Sequence, residues 1–289
     1  MLSPNFLELP KAAAMTLLRL FFVAQCLFMA AASPVLAAPK AEPWQRWTAH
    51  DPASALVVDH GPWQRFLEAY VVGGDDGVNR VAYGRIPAKD KAVLEGYIDR
   101  LAAVPVSNLG RPEQLAFWIN LYNALTLKVV LDHYPVASIR DIDISPGLLA
   151  DGPWGKKLLE VERFPVSLDD IEHRILRPIW KDPRIHYVVN CAAISCPNLP
   201  ATAFTAANAK ALLNAAARAY VNHRRGASID NGRLIVSSIY DWYMADFGGG
   251  VEGVLDHLRR YAEADLKARL RGITGIAGDV YDWALNEAR

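Results

Sequence analysis

The chain has 289 residues, with 31 Lys and Arg, 31 Asp and Glu, and a formal net charge of +0 at pH 7. Nucleic-acid-binding surfaces usually carry clustered positive charge, so this balance argues against a nucleic-acid partner. Hydrophobic residues make up 52% of the sequence and include eight tryptophans, which excludes a disordered chain and is ample for a packed core.

The first 37 residues have the pattern of a signal peptide. Lys11 and Arg19 precede an apolar run at 20–32, and small residues follow it. We expect cleavage near Ala37 and a periplasmic or secreted protein with no stable membrane span after cleavage. The alternative is an uncleaved membrane anchor, because residues 17–38 reach the ~20 residues that a membrane helix needs.

Beyond the leader we predict an N-terminal helical extension at 38–111 and a core domain at 112–289. Within the extension, apolar residues recur at helical spacing at 62–71 and 88–101, and a proline stands at the entry of each helix. The Gly- and Asp-rich segment between them lacks the spacing and terminal Glu of an EF-hand, so we interpret it as a loop.

The longest predicted helix spans residues 112–133 and is apolar nearly all round. Such a helix belongs in the middle of a fold rather than on its surface. Asn120 and Asn123 lie on it in apolar company, where an amide without a hydrogen-bond partner costs ~1–3 kcal/mol. We expect one of the two to approach the cluster formed by the later histidines and cysteines.

Short elements follow this helix. Two short strands are predicted at 158–161 and 163–166, with Pro165 forcing an edge position. Ser167 has the spacing of a helix N-cap with Asp170 three residues on, and the helix should stop before Pro178. Later elements are predicted as a helix at 206–222, a hairpin-type turn at 230–233 with a strand at 234–237, and helices at 251–261 and 266–270.

Residues 184–197 contain the greatest concentration of potentially reactive side chains in the sequence. Residues 185–190 are β-branched, aromatic or imidazole-bearing except for Asn190, and two prolines bound the stretch, so we predict a strand that ends in a small-residue turn. Cys191 closes this strand and Cys196 lies in the turn, and these are the two cysteines beyond the leader.

One interpretation of this stretch is catalytic. Cys196 would act as the nucleophile and His173 or His186 as its base, and the group that orients the histidine would be Glu172, Asn120 or Asn190. The other interpretations are a structural thiol pair, a Cys191–Cys196 disulfide, or a metal site. The spacing of the two histidines and two cysteines matches no familiar zinc pattern, so we expect neither a metal nor a cofactor.

Glu172 and His173 are neighbours on one predicted helix. Adjacent helical side chains point ~100° apart, so the two cannot form a face-to-face dyad. Two interpretations stay open: one of them faces the core strand and the other faces solvent, or the helix lies on the surface with ordinary charges.

Five motifs in this order resemble the family called domain of unknown function 547. They are AFWINLYNAL at 116–125, SLDDIEHRILR at 167–177, DPRIH running on to SCP at 182–197, DWYMADFG at 241–248 and YDWALN at 281–286. The resemblance implies a fold and a residue set rather than a reaction. Ala192 departs from the glycine expected of the family, and Asn120 stands where a papain-like fold would place its thiol.

The sequence thus predicts an α+β protein: a mainly helical single domain around a small, mostly antiparallel sheet centred on 185–191, with a long buried helix. For function we weigh two hypotheses. The first is an exported thiol-dependent hydrolase or acyl-transferase. The alternative is a non-enzymatic periplasmic module that binds a ligand or partner and whose Cys/His/Asn cluster is structural. The partner is expected to be a small molecule, a peptide or an envelope substrate.

Overall fold

A helix of 23 residues, Arg111–His133, runs through the middle of the fold. The computed structural model describes residues 39–147 and 151–288, and the predicted leader lies outside these residues. Every residue of the helix from 116 to 127 is buried. An apolar surface on all sides demands neighbours on all sides, so the predicted central position is confirmed.

Helices supply most of the regular structure, and the three predicted from 62 to 133 are confirmed to within one residue. The α-helices are α1 (Gly61–Tyr70), α2 (Ala88–Ala102), α3 (Arg111–His133), α4 (Arg177–Trp180), α5 (Ala209–Val221), α6 (Ile239–Trp242), α7 (Val251–Tyr261) and α8 (Ala264–Arg269). A π-helix spans Asp170–Leu176, and short 3-10 helices lie at Gln45–Thr48, Tyr83–Arg85, Val106–Asn108, Ile139–Asp141, Pro183–Tyr187 and Leu270–Gly272.

The strands form three small sheets. Their bounds are β1 (Val71–Gly73), β2 (Asn79–Val81), β3 (Leu159–Val161), β4 (Phe164–Val166), β5 (Ala227–Asp230), β6 (Arg233–Ser237) and β7 (Gly278–Val280). The pairs β1–β2, β3–β4 and β5–β6 are antiparallel, and β7 adds to β6 in parallel. The predicted fold class, mainly helical α+β with small and mostly antiparallel sheets, is confirmed.

The prediction of a central strand at 185–191 is wrong. The segment Pro183–Tyr187 forms a 3-10 helix, which Asp182 caps by accepting the backbone N–H of Arg184 at 2.9 Å. Residues 185–190 are all buried. A short run that is buried on every side has no period to distinguish strand from helix, so the β-branched composition was misleading here.

The helix predicted after Ser167 begins where expected but continues past Pro178. Ser167 and Asp170 form the capping box: the Asp170 N–H donates to Ser167 Oγ at 3.2 Å, and the Ser167 N–H donates to Asp170 Oδ2 at 2.9 Å. The helical path does not stop before Pro178 but continues through α4. Proline has no N–H for the carbonyl of Arg174 four residues back, and Trp44 supplies that hydrogen bond instead at 2.9 Å.

Residues 39–47 form an N-terminal arm along the π-helix. The Glu42 N–H donates to the carbonyl of His173 at 3.1 Å, beside the Trp44 contact. The Arg174 guanidinium lies over the Trp44 ring at 4.6 Å, and Trp47 packs edge-on against Trp118 of α3. The arm therefore covers the outer face of the π-helix and is anchored in the core by its tryptophans.

Two apolar clusters fill the interior. One surrounds α3 and includes Ile185 and Val188, whereas the other lies among α5 to α7 and the β5–β7 sheet and includes Tyr187. The segment of 183–191 thus lies between the two clusters. Among residues 39–147 and 151–288, no helix combines the length and apolar character that crossing a membrane requires.

Candidate functional site: a buried ion network beside two thiols

His186 lies between two carboxylates. Its Nε2 is 2.7 Å from Asp246 Oδ2, and its Nδ1 is 3.3 Å from Glu172 Oε1. The side chain of His186 is only 2% exposed. An ionised carboxylate only accepts hydrogen bonds, so both ring nitrogens carry protons and His186 is an imidazolium.

Arg177 completes a group of four charges, in which the Arg177, His186 and Glu172 side chains are buried and that of Asp246 is 21% exposed. Its Nε donates to Asp246 Oδ2 at 2.6 Å, so two cations and two anions alternate as Arg177, Asp246, His186 and Glu172. Their formal charges sum to zero. Buried charges cost several kcal/mol each unless they are paired and hydrogen-bonded, and here each one is.

The pKa values follow from this pairing. Burial acts to raise the pKa of Glu172, but His173, His186 and Arg177 outweigh it and hold the value at about 2. Burial acts in the same way on Asp246, but hydrogen bonds from His186 and Arg177 keep its pKa well below its ordinary value. Burial acts to lower the pKa of His186, whereas the hydrogen bonds to Asp246 and Glu172 raise it above its ordinary value.

Two tyrosines enclose the network. Tyr122 of α3 donates its hydroxyl to Glu172 Oε2 at 3.1 Å. The ring of Tyr243 stacks on His186 with centroids 4.2 Å apart, and the Arg177 guanidinium lies 4.6 Å from its centroid. The central helix therefore contacts the network at Glu172, and the segment after α6 contacts it at His186 and Arg177.

His173 has a different role from His186. Arg177 Nη1 donates to its Nδ1 at 3.0 Å, and a guanidinium has no acceptor, so the proton of neutral His173 is on Nε2. Burial lowers the pKa of His173 to about 4, which keeps the ring neutral near pH 7. Its Nε2 faces Asp169, whose Oδ1 lies 3.7 Å away.

The expectation that either Glu172 or His173 faces solvent is wrong. Glu172 is 7% exposed and His173 is 5% exposed. The reason is tertiary: α3 covers Glu172 through Tyr122, and the N-terminal arm runs along the backbone of His173.

The two thiols lie in the following turn and are both free. The Cys191 N–H donates to Cys196 Sγ at 3.0 Å, and Cys191 Sγ lies 3.0 Å from the Tyr281 hydroxyl. Cys196 is 3% exposed, whereas Cys191 is partly exposed. Within the described residues, no hydrogen bond joins either sulfur to a histidine.

The environments of the two sulfurs differ in their effect on ionisation. Burial acts to raise the pKa of Cys196, but hydrogen bonds from the side chain and backbone of Cys191 lower it below its ordinary value. Burial and the neighbouring Cys196 raise the pKa of Cys191 well above its ordinary value. Cys196 is thus the more acidic thiol but also the less accessible one.

Of the two asparagines on α3, Asn123 reaches this region. Its Nδ2 donates to the carbonyl of Val188 and its Oδ1 accepts the N–H of Asn190, both at 2.8 Å. Asn120 instead binds both backbone groups of Phe204, at 2.8 and 3.0 Å. The expected approach of one asparagine is therefore made by Asn123, to the backbone of the stretch rather than to a histidine or thiol.

Sequence reasoning missed three members of the site. Asp246 and Arg177 complete the charge network, and Tyr281 contacts Cys191. All three stood within the motifs of the resemblance, which was the available signal. His186 and Asp246 are 60 residues apart in the chain, and Cys191 and Tyr281 are 90 residues apart. No local spacing in the sequence could therefore connect them.

A cleft of about 320 Å³ opens on the outer side of the network, between the arm and the π-helix. It is lined by Pro39, Lys40, Glu42, Asp169, His173 and Arg174. Within the described part of the chain, no three or more His, Cys, Asp or Glu side chains are gathered in a way that would hold a metal ion.

Fold and site together define a mainly helical α+β domain built around a buried network of paired charges. Residues 106–221 match the model of the family described as "Protein of unknown function, DUF547". The resemblance is thus confirmed for this segment of the chain. The match includes α3, the π-helix and both thiols, whereas Asp246 and Tyr281 lie beyond it. No curated protein and no solved structure matches the chain significantly.

Proposed function

We propose that the protein is an exported, non-enzymatic module that binds a ligand or partner, and that its Cys/His/Asn cluster is structural. The observation that carries the proposal is the occupancy of the histidine lone pairs. Nε2 of His186 donates to Asp246 and its Nδ1 is ion-paired with Glu172 at 3.3 Å, while the single lone pair of neutral His173 accepts from Arg177. A general base needs a free lone pair to take a proton from a thiol, and neither ring offers one.

The position of the thiols supports the same proposal. Cys196 is buried, and its sulfur accepts the backbone N–H of Cys191. Such a contact stabilises the turn without requiring the thiol to react. The Asn123 side chain likewise stabilises this segment, because it hydrogen-bonds the backbone of Val188 and Asn190. The cleft beside His173 is the surface feature to which we assign binding.

A thiol-dependent hydrolase or acyl-transferase is the second candidate, and one observation favours it. The hydrogen bonds from Cys191 lower the pKa of Cys196, as activated cysteine nucleophiles require. This candidate needs Cys196 to be reached by a substrate and served by a base.

Alkylation with iodoacetamide across a range of pH, followed by intact mass measurement, separates the two candidates. We expect Cys196 of the Cys191→Ala variant to resist alkylation in the folded protein at every pH and to react once urea unfolds the chain. The Cys196→Ala variant is the matched control and should react slowly at the partly exposed Cys191. Rapid alkylation of native Cys196 with a midpoint below the ordinary thiol pKa of ~8.5 would overturn the binding proposal in favour of the hydrolase.

Export is part of the proposal and has its own test. The periplasmic fraction should yield a protein whose amino-terminal sequence begins next to Ala37. Recovery of the full-length chain in the membrane fraction would instead indicate the uncleaved anchor.

A further inference from the structure

The cleft beside the π-helix contains a hydrogen-bond donor without an acceptor. The proton on His173 is placed on Nε2 by the contact between Arg177 and Nδ1. The side chain of His173 is 6% exposed and lines the cleft. Among the residues that the structure describes, Nε2 has no hydrogen-bond partner, because Asp169 Oδ1 at 3.7 Å is beyond hydrogen-bond distance. A nearly buried donor in a cleft calls for an acceptor from outside.

The charges around the cleft limit what that acceptor is. Lys40 and Arg174 are positive, whereas Glu42 and Asp169 are negative, so the lining has no net charge when all four are ionised. The charge of Arg174 is partly neutralised by an ion pair, since its Nη1 lies 3.0 Å from Asp170 Oδ1. A dianion would meet two carboxylates here, which favours a ligand with a single negative charge.

Asp169 can provide a second hydrogen-bond donor to such a ligand when its carboxyl group is protonated. Burial, together with Glu172 and Asp170, raises the pKa of Asp169 to about 6. In the protonated form its carboxyl is a donor, and the lining then has a formal charge of +1. The charged and titratable groups that act on Asp169 come from its own helix, from the segment before β3 and from the arm; they are Asp170, Glu172, His173, Arg174, Lys157, Lys40 and Glu42.

We propose that this cleft binds the carboxylate of a small monoanionic ligand. One carboxylate oxygen accepts the Nε2–H of His173, and the other accepts the proton of the Asp169 carboxyl. Binding above the pKa of Asp169 therefore takes up one proton from solvent. The volume of about 320 Å³ is at the small end of ligand sites, which suits a small carboxylic acid or the end of a peptide. This ligand class rests on the proposed binding function.

Acetate is the probe that tests the proposal. The full purified protein, labelled with ¹⁵N in histidine, is titrated with acetate at constant ionic strength while the His173 Nε2–H resonance is followed by NMR. We expect a saturable shift near pH 5, and an apparent affinity that falls roughly tenfold for each pH unit above the pKa of Asp169. Inorganic phosphate at the same ionic strength should bind more weakly.

Three variants locate the effect. Asp169→Asn keeps a donor that does not titrate, so it should bind acetate with no dependence on pH in this range. Lys40→Met should weaken binding several-fold at every pH, because it removes a rim charge. Asp279→Asn, at an exposed position of β7, is the matched control and should behave as the unmodified protein.

Three results would overturn the proposal: no saturable shift of His173 at pH 5, equal affinity for phosphate, or an unchanged pH slope in Asp169→Asn. Circular dichroism of each variant distinguishes loss of the site from loss of the fold. If acetate fails while Cys196 still resists alkylation, the ligand class falls and the binding module stands. If Cys196 proves to be a reactive nucleophile, the binding module falls whatever acetate does.

Discussion

His186 Nε2 lies 2.7 Å from Asp246 Oδ2, although 60 residues separate the two in the chain. The contact joins the 3-10 helix between the two apolar clusters to the segment after α6. With Glu172 on the other nitrogen, it fixes His186 as a buried cation. The stability of this region should therefore depend on the charge of one imidazole.

Replacing His186 by Gln should destabilise the protein by about 3–5 kcal/mol, because the buried Glu172 and the partly buried Asp246 would be left with one cation, Arg177, between them. Urea unfolding followed by tryptophan fluorescence measures this. The matched control is His50→Gln at an exposed position, which should change the free energy of unfolding by less than about 0.5 kcal/mol. An effect of His186→Gln as small as that of the control would contradict the role of His186 as the shared cation.

The pH dependence of the same variant has a definite sign. The pKa of His186 is raised in the folded protein, so its contribution is full below the unfolded value of 6.5 and is lost as pH rises through the folded value. The pKa of Glu172 is lowered to about 2, so its contribution is present above its unfolded value of 4.5 and is lost as pH falls towards 2. The cost of His186→Gln should thus be greatest between about pH 4.5 and 6.5 and smaller at pH 9.

His257 should act in the opposite direction. Its Nε2 lies 2.9 Å from the Tyr187 hydroxyl, and burial, followed by Arg260, lowers its pKa to about 4. Its contribution is present above pH 6.5 and is lost as pH falls through 4, at about 1.4 kcal/mol per pH unit for one proton. His257→Gln should remove one proton from the slope of unfolding free energy against pH that the unmodified protein shows. A slope equal to that of the unmodified protein would show that His257 is not buried as a neutral ring.

The Asn123 side chain should contribute more to the free energy of unfolding than an ordinary polar side chain does. Its replacement by Ala leaves the Val188 carbonyl and the Asn190 N–H unpaired in the interior, which should cost about 2–4 kcal/mol in urea unfolding. Asn108→Ala, at an exposed position, is the control and should stay within about 0.5 kcal/mol. A near-neutral Asn123→Ala would mean that water replaces the amide.

Ala192 offers a test of the backbone. It adopts φ +58°, a left-handed conformation that costs about 1–2 kcal/mol for a residue with a Cβ, although its carbonyl and N–H are both hydrogen-bonded. The glycine expected of the family is thus replaced by alanine without loss of the turn. Ala192→Gly should stabilise the protein by about 0.5–1 kcal/mol in urea unfolding.

The neighbouring residue provides the control for that prediction. Ala193 is equally buried but does not have a positive φ, so Ala193→Gly should destabilise the protein by about 1 kcal/mol. Opposite signs for the two adjacent substitutions would support strain at Ala192. Destabilisation by both would mean that packing around the Ala192 methyl outweighs the strain.

The sequence alone determined the elements whose signals are local. The apolar surface of residues 112–133 required a central helix, the Ser167–Asp170 spacing specified a capping box, and the runs on either side of Pro165 specified two short strands. Each of these depends on contacts within a few residues, so a single stretch of sequence contains the whole physical cause.

Only the tertiary structure decided the form of residues 183–191 and the membership of the site. This buried run has no exposed face to reveal its period, so packing between two apolar clusters made it a 3-10 helix rather than a strand. The same packing turned His186 towards Asp246 and Cys196 towards the backbone of Cys191. Buried charges and thiols pair with the groups that satisfy them in three dimensions. The separation of two residues along the chain does not reveal which groups these are.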